Sequence, residues 1–399
     1  MKFRKPNFFC YLLAWAVSWV AATVIFRRKF IRNEIRKVKG PYVVIANHQA
    51  ALDFVNVIGA TPRRMSFVIS KSFYSTLPIQ GILKKMGVIP KQQFQTAADD
   101  LKKMKRAIDA GRPLVIYPAG LMCEDGLSTP IPAATYKFLK WLDVPVYVAR
   151  TKGTYFVMPK WAKGLRPGRI YMDIYKLFSR EELKEMDLAQ IREKTDAALL
   201  YDAYREQEQL MVKYRKNDNI QGLENVLYRC PQCGEEFSME VSGSSIRCKA
   251  CGFSRTSDGH GFLAEKGDAW RYVSDWSRWI YTQLKEDVKA GKIHTIRAKA
   301  QIRMIDPRKH KFLPVGDAEV TLTKGQFTID GTIRGEEVHI TVPVGNVPTL
   351  PFSPGKHLEI QHGSDIYRCV FEDGHLVMKY INLLKIFYEL NQETVKAGV

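Results

Sequence analysis

Apolar positions are distributed along this chain in four ways. Residues 8–26 form an uninterrupted apolar run without a single charge. As a helix the run would be about 28 Å long, close to the roughly 30 Å hydrocarbon core of a bilayer. Short runs rich in β-branched residues, at 42–46, 114–117 and 144–148, read as buried strands, each leading into a turn or helix. From Ser179 to about Lys216 the chain is heavily charged, with Leu183, Ile191, Leu199 and Tyr204 at helical spacing and Ser179 and Glu182 placed as a capping box. One or two helices are predicted there, ending at the polar stretch Lys216, Asn217, Asp218, Asn219. Beyond Ile296 the period shifts towards two, through segments such as 318–322, 326–329, 338–342, 358–360 and 367–371. These predict antiparallel strands, followed by a closing helix from Lys379 to about Asn391 with Leu383, Leu384, Phe387 and Leu390 on one side.

These patterns divide the chain into a membrane anchor with a basic flank (1–39), an α/β domain (40–178), a helical connection (179–227), a cysteine-bearing module (228–256), an aromatic helical linker (257–294) and a β-rich domain with a C-terminal helix (295–399). A content of 46% hydrophobic residues suits folded domains and excludes a disordered chain. In the linker, Trp276, Trp279 and Ile280 can share one helix face, for core packing or for a membrane-interface belt. The strands closed by one helix loosely resemble a pleckstrin-homology-like or GRAM-like module, which implies lipid or protein binding. A protein partner through this domain is left open.

The first candidate chemistry follows the strand at 42–46. The segment from Asn47 to Asp53 places a histidine, His48, five residues ahead of an aspartate. In a helix these two would be rotated about 140° apart, so His48 is expected in the turn, with Asp53 inside the following helix reaching back. Such a pair makes a general base, because imidazole titrates near neutrality and a carboxylate on its far nitrogen fixes the tautomer. The attacking hydroxyl would come from the substrate. Taken alone, a histidine at this spacing is more often structural.

Downstream lie Lys71 between Ser70 and Ser72, then Pro78, Gly81 and Gly87. The run at 114–117 leads into Pro118, Ala119 and Gly120, and after Glu124, Asp125 and Gly126 comes the strand-like 144–148. In order and spacing, roughly residues 40–180 resemble the glycerolipid acyltransferases, in particular the 1-acylglycerol-3-phosphate acyltransferase family, with Asn47, His48 and Asp53 the most specific part. The fold class expected is therefore α/β: a glycerolipid-acyltransferase-like domain with an N-terminal membrane helix, a small zinc ribbon, and a C-terminal antiparallel β domain closed by a helix. The resemblance implies transfer of an acyl chain from a thioester, acyl-CoA or acyl carrier protein, to a lysoglycerolipid hydroxyl. His48 would be the base, Asp53 its orienting partner, and Asn47, Lys71, Lys91 and Gly120 the substrate-binding residues. The family's third block normally reads Pro-Glu-Gly-Thr-Arg, whereas here it is Pro118, Ala119, Gly120, Leu121, Met122. An apolar Leu-Met pair holds no phosphate by charge. Lys91, where the second block often carries arginine, can hold one as a point charge but not as a fork, and Lys71 and Lys91 serve equally well as ordinary solvated lysines.

Cys230, Cys233, Cys248 and Cys251 form two Cys-x2-Cys knuckles, each followed by glycine, at Gly234 and Gly252. That spacing delivers four thiolates to one tetrahedral Zn²⁺, with a hairpin between the knuckles, and a full thiolate shell makes the metal structural. Iron or a redox dithiol is the competing reading. Cys10, Cys123 and Cys369 are unpaired in this scheme, which favours a reducing compartment.

Charge adds a location. There are 61 Lys and Arg against 41 Asp and Glu, a net +20. Lys2, Arg4 and Lys5 precede the apolar run, and Arg27, Arg28, Lys29, Arg32, Arg36, Lys37 and Lys39 follow it. The heavier C-terminal cluster places the domain on the cytoplasmic face of the cell membrane, against an anionic bilayer surface, with an interfacial helix competing with a full span. Three function classes remain: an acyltransferase, a non-catalytic lipid-binding adaptor on the same fold, and a zinc-ribbon nucleic-acid binder. The last leaves the histidine motif and the apolar run idle, and excess charge carries no specificity, so no specific nucleic acid is expected.

Overall fold

The computed structural model describes residues 6–93, 98–216 and 219–396. Lys2, Arg4 and Lys5, and Asn217 and Asp218 of the polar stretch, lie outside them. The chain divides into two units, one of Met1–Lys160, Gly164–Asn217 and Gly259–Gly261, the other of Trp161–Lys163, Asp218–Asp258 and Phe262–Val399.

In the first unit the order is α1 (Phe8–Val24), β1 (Lys29–Asn33), β2 (Val43–Ala46), α2 (Asp53–Ile58), β3 (Ser66–Ser70), α3 (Lys71–Thr76), α4 (Gln80–Lys85), β4 (Ile89–Lys91), α5 (Ala98–Asp109), β5 (Leu114–Ile116), α6 (Ala134–Leu142), β6 (Val146–Lys152), α7 (Thr154–Val157), β7 (Tyr171–Phe178), α8 (Arg180–Glu185), α9 (Leu188–Leu199) and α10 (Ala203–Leu210). Seven strands make one sheet in the order β1-β7-β6-β2-β5-β3-β4. Pairing is parallel except between β6 and β7. The short runs are apolar throughout because both sheet faces are covered. Val43, Ile45, Leu114, Ile116, Val146 and Val148 face α5, α6 and α9 through Ile108, Leu139 and Ile191. The alternate residues Val44, Ala46, Val115, Tyr147 and Ala149 face α1 and α2 through Tyr11 and Val57.

The N-terminal membrane helix expected from the apolar run is not supported. Among the described residues no helix is long and apolar enough to cross a membrane. The helix is capped at Asn7, whose side chain accepts from Cys10 N–H, and runs from Phe8 to Val24, so its 17 residues reach roughly 26 Å. The rest of the run turns into the domain: Phe26 is fully buried and Arg27 has a positive φ. One side of α1, with Tyr11, Ser18 and Ala22, is buried. It lies so close to the end of α2 that a Cβ on Gly59 would come within 3.1 Å of the Ser18 and Trp19 backbone. Arg28 donates to the Asn56 carbonyl and, at 3.0 Å, to that of Gly59. Burial brings its pKa down to about 10, which leaves the guanidinium charged near neutrality. The opposite side of α1 is open, with Phe9, Leu13, Val17, Val20 and Val24 exposed.

The connection after β7 holds three helices rather than one or two. Ser179 and Glu182 make both halves of a capping box on α8, and Asp187 with Gln190 make a second on α9 that starts a new helix just two residues after α8 ends.

In the second unit β8 (Met239–Ser242), β9 (Ser245–Cys248) and β10 (Ser254–Thr256) form a small antiparallel sheet. The helix α11 (Val273–Lys289) follows. Then come β11 (Thr295–Asp306), β12 (Lys311–Thr323), β13 (Gln326–Ile333), β14 (Glu336–Pro343), β15 (Phe352–Ser353), β16 (His357–His362) and β17 (Asp365–Phe371), closed by α12 (Leu376–Lys396). The seven strands are ordered β14-β13-β12-β11-β17-β16-β15. Tyr380 of α12 stacks on Phe371 at 4.7 Å and donates to the Val320 carbonyl at 2.7 Å, with Leu383, Leu384 and Phe387 buried beside it.

Because Gly59 meets the α1 backbone directly, Gly59→Val should cost about 1–3 kcal/mol by overpacking. Urea unfolding should show it as a lower midpoint with an unchanged slope.

Candidate active site and thiolate centre

The parallel strands β2, β5, β3 and β4 end at the same edge of the sheet, where ligand sites form in open α/β sheets. His48 follows β2, Tyr117 follows β5, Lys71 follows β3 and Lys91 ends β4. The helix α2 begins at Asp53 itself, so residues 49–52 form a turn rather than the start of a helix. The reason is the Asp53 carboxylate. Its Oδ2 accepts from Gln49 N–H at 2.7 Å and Ala50 N–H at 2.9 Å, which curls the turn, and lies 3.0 Å from His48 Nδ1. A carboxylate is an acceptor only, so Nδ1 carries the proton and Nε2 keeps its lone pair. Asp53 is 1% exposed, while the His48 side chain retains 21%. The imidazole is therefore reachable from solvent and the carboxylate is not.

The residues on either side of His48 are tied to β6 and α7. Asn47 donates to the Thr151 carbonyl at 2.8 Å and accepts from Thr151 N–H at 2.8 Å, so its amide is used within the protein. Gln49 Oε1 accepts from Thr154 Oγ1 at 2.8 Å and Tyr155 N–H at 3.2 Å. The His48 carbonyl accepts from Cys123 N–H at 3.3 Å and from the Tyr201 hydroxyl at 3.2 Å. The Tyr117 ring lies against the imidazole at 4.5 Å, tilted by 37°. Burial, with Asp53 nearby, pushes the Tyr117 phenol far above its ordinary range, and burial also holds the Cys123 thiol neutral. Neither supplies a nucleophile.

The other expected site residues are arranged as follows. Ser70 pairs with Lys91 in the β3–β4 ladder, placing Lys71 and Lys91 at neighbouring strand ends. Burial lowers the Lys91 pKa, with Asp100 opposing, and its ammonium donates to the Gln92 carbonyl at 2.9 Å. Gly120 sits at φ +72° with open space where a Cβ would be, and its carbonyl accepts from Gln93 at 2.5 Å. Sequence reasoning missed Gln49, Tyr117, Thr151 and Tyr201, and also Lys160, whose Nζ lies 3.4 Å from the Met122 carbonyl. Only Tyr117, ending a β-branched run just before Pro118, left a local signal.

With this geometry in place, the comparisons with known proteins can be set beside it. Residues 27–157 match the Acyltransferase family. Tyr201 and Lys160 lie outside the matched segment. A crystal structure of the 1-acyl-sn-glycerophosphate (LPA) acyltransferase PlsC from Thermotoga maritima is similar, at 16% identity over 50% of this chain and 79% of that one, with a TM-score of 0.43. No curated protein matches the chain. Residues 223–254 match a zinc-ribbon family described as the 7 kDa subunit of DNA-directed RNA polymerase.

In that ribbon the Sγ atoms of Cys230, Cys233, Cys248 and Cys251 all lie within 4.8 Å of one another. The Cys230–Cys251 and Cys233–Cys248 pairs stand at 3.7 and 3.8 Å, against about 3.8 Å for two ligands on a tetrahedral ion with Zn–S bonds of about 2.3 Å. Each knuckle closes alike: Gly234 N–H bonds the Cys230 carbonyl and Gly252 N–H the Cys248 carbonyl, both at 3.0 Å and both at φ +77°. The four cysteine sulfurs fit Zn²⁺ and, as thiolates, would fill its coordination shell, so an ion held there would be structural. The ribbon is built into its unit. Trp276 of α11 donates to the Arg229 carbonyl at 2.9 Å and packs on Phe253, Arg229 pairs with Asp287 at 2.9 Å, and Lys379 of α12 pairs with Glu236.

Asn47→Ala should leave the Thr151 N–H and carbonyl unpaired, costing about 1–3 kcal/mol for each buried group orphaned, and should lower turnover by loosening the turn. Urea unfolding and steady-state rates measure the two effects. Stripping the metal with a chelator should release about one Zn²⁺ per chain and lower the unfolding midpoint reported by the buried Trp276. Release with no change in that midpoint would count against a structural role.

Proposed function

We propose that this chain is a membrane-associated O-acyltransferase that moves an acyl chain from acyl-CoA or acyl carrier protein to the hydroxyl of a lysoglycerolipid. The first candidate acceptor is 1-acylglycerol-3-phosphate, giving phosphatidic acid. The observation that carries the reading is His48 Nδ1 held at 3.0 Å by a buried Asp53, inside a segment matching an acyltransferase family. His48 Nε2 takes the acceptor's hydroxyl proton as that oxygen attacks the thioester carbonyl, and Asp53 steadies the imidazolium. The tetrahedral intermediate collapses with cleavage of the C–S bond, and the departing thiolate receives the proton from Nε2. Lys71 and Lys91, at neighbouring strand ends, are the cations for the acceptor's phosphate, with Asn47 acting on the reaction through the turn it anchors.

The open side of α1 supports an interfacial placement. A helix with Phe9, Leu13 and Val17 exposed on one side and Tyr11 and Ala22 buried on the other suits lying in the headgroup boundary. In this reading the domain sits on the cytoplasmic face of the cell membrane. The altered block Ala119, Leu121, Met122 favours one second reading, a lipid-binding adaptor without turnover.

Release of free thiol from acyl-CoA or acyl carrier protein, with a panel of lysolipids, tests the proposal. Release should depend on the acceptor, and His48→Ala should cut it by about 10²- to 10⁴-fold. A folded wild type no faster than His48→Ala on every acceptor and both donors would leave the adaptor.

A further inference from the structure

The helices α3 and α4 bury no residue at all, although they carry several large apolar side chains. Phe73, Ile79 and Ile82 are 48%, 45% and 49% exposed. Isolated exposed leucines need no explanation, but three large apolar residues exposed together on α3 and at the start of α4 call for a partner.

That patch is continuous with the open side of α1. Asn7 N–H donates to the Lys85 carbonyl at the end of α4 at 2.7 Å. Pro6 packs against Gly87, where an added Cβ would meet it at 2.7 Å. Arg64 bonds the Pro6 carbonyl at 3.0 Å and lies over the Phe8 ring at 5.8 Å. Exposed Phe8 and Phe9 thus begin where α4 ends.

Charge identifies the occupant. The chain has no acidic residue before Glu34 and none between Asp53 and Asp99, and the second stretch contains Arg63, Arg64, Lys71, Lys84, Lys85 and Lys91. Lys84 and Lys85 on α4 are exposed. Apolar side chains flanked by lysines, with no acidic residue among them, match an anionic bilayer surface.

We propose that α3 and α4 are a second lipid-binding element, which docks on an anionic bilayer together with α1. This rests on the reading that the chain works at a membrane. It adds that two contacts fix the domain's tilt, and that the α3–α4 contact borders the sheet edge where Lys71 follows β3 and Lys91 ends β4. An amphiphilic acceptor would enter from the bilayer beside those lysines.

The test is vesicle sedimentation of the full chain, with phosphatidylglycerol–phosphatidylcholine vesicles and with phosphatidylcholine alone. Three variants are compared with wild type: Phe73→Ser/Ile79→Ser/Ile82→Ser, Lys84→Gln/Lys85→Gln, and, on α1, Phe9→Ser/Leu13→Ser/Val17→Ser. All substituted positions are exposed, and circular dichroism checks the fold. The α3–α4 triple variant should bind both vesicle types about tenfold more weakly or worse. The lysine pair should lose roughly 25-fold on anionic vesicles, about fivefold per charge, and little on phosphatidylcholine. If only the α1 variant loses binding, the α3–α4 proposal is overturned and the membrane reading stands. If wild type binds neither vesicle, both fall. A triple variant that binds vesicles normally but changes the protein's mass by light scattering would assign the patch to a second copy of this chain, and would also overturn the proposal.

Discussion

One carboxylate oxygen organises the first unit's site. Asp53 Oδ2 accepts two backbone N–H groups and faces the His48 imidazole, so the carboxylate that curls the turn between β2 and α2 also sets the tautomer of the imidazole. A carboxylate oxygen satisfied by charge-assisted bonds in a buried setting is strongly held. The surrounding structure serves that turn: the Asn47 and Gln49 amides tie its start to β6 and α7, and the Tyr201 hydroxyl braces the His48 carbonyl from beyond α9. The imidazole itself is held by Asp53 at Nδ1 and by the Tyr117 ring beside it.

The second unit meets a different physical problem. A ribbon of three short strands cannot enclose a core, so its stability rests on four thiolates and on what it leans against. Here it leans on α11 and α12 through Trp276, Arg229 and Glu236, and α12 is the same helix that closes the seven-stranded β domain. Ribbon, helices and β domain belong to one compact unit.

What the sequence revealed depended on how local each feature is. His48 and Asp53 lie five residues apart and carry unmistakable chemistry, and the cysteine knuckles are two local motifs whose spacing is diagnostic. The strands at the centre of the first sheet were visible as β-branched runs. Features that rest on distant partners were not. Asn47 reads as a substrate ligand until its amide is found on Thr151, 104 residues away, and Tyr201 is one tyrosine among many until its hydroxyl is found on His48. The apolar run at 8–26 has the composition of a membrane span, but nothing within it reveals that Phe26 turns inward or that Ser18 meets Gly59. Those are tertiary contacts, and no local pattern in the run encodes them.

The central claim is that Asp53 holds His48 as a base with a free Nε2. The most direct measurement is the tautomer of His48 in the ¹⁵N-labelled protein, by long-range ¹⁵N–¹H correlation with His48→Gln to assign the signal. The account predicts a neutral ring protonated at Nδ1, and a loss of that preference in Asp53→Ala. A neutral ring protonated at Nε2, unable to take a proton from any substrate hydroxyl there, would contradict it.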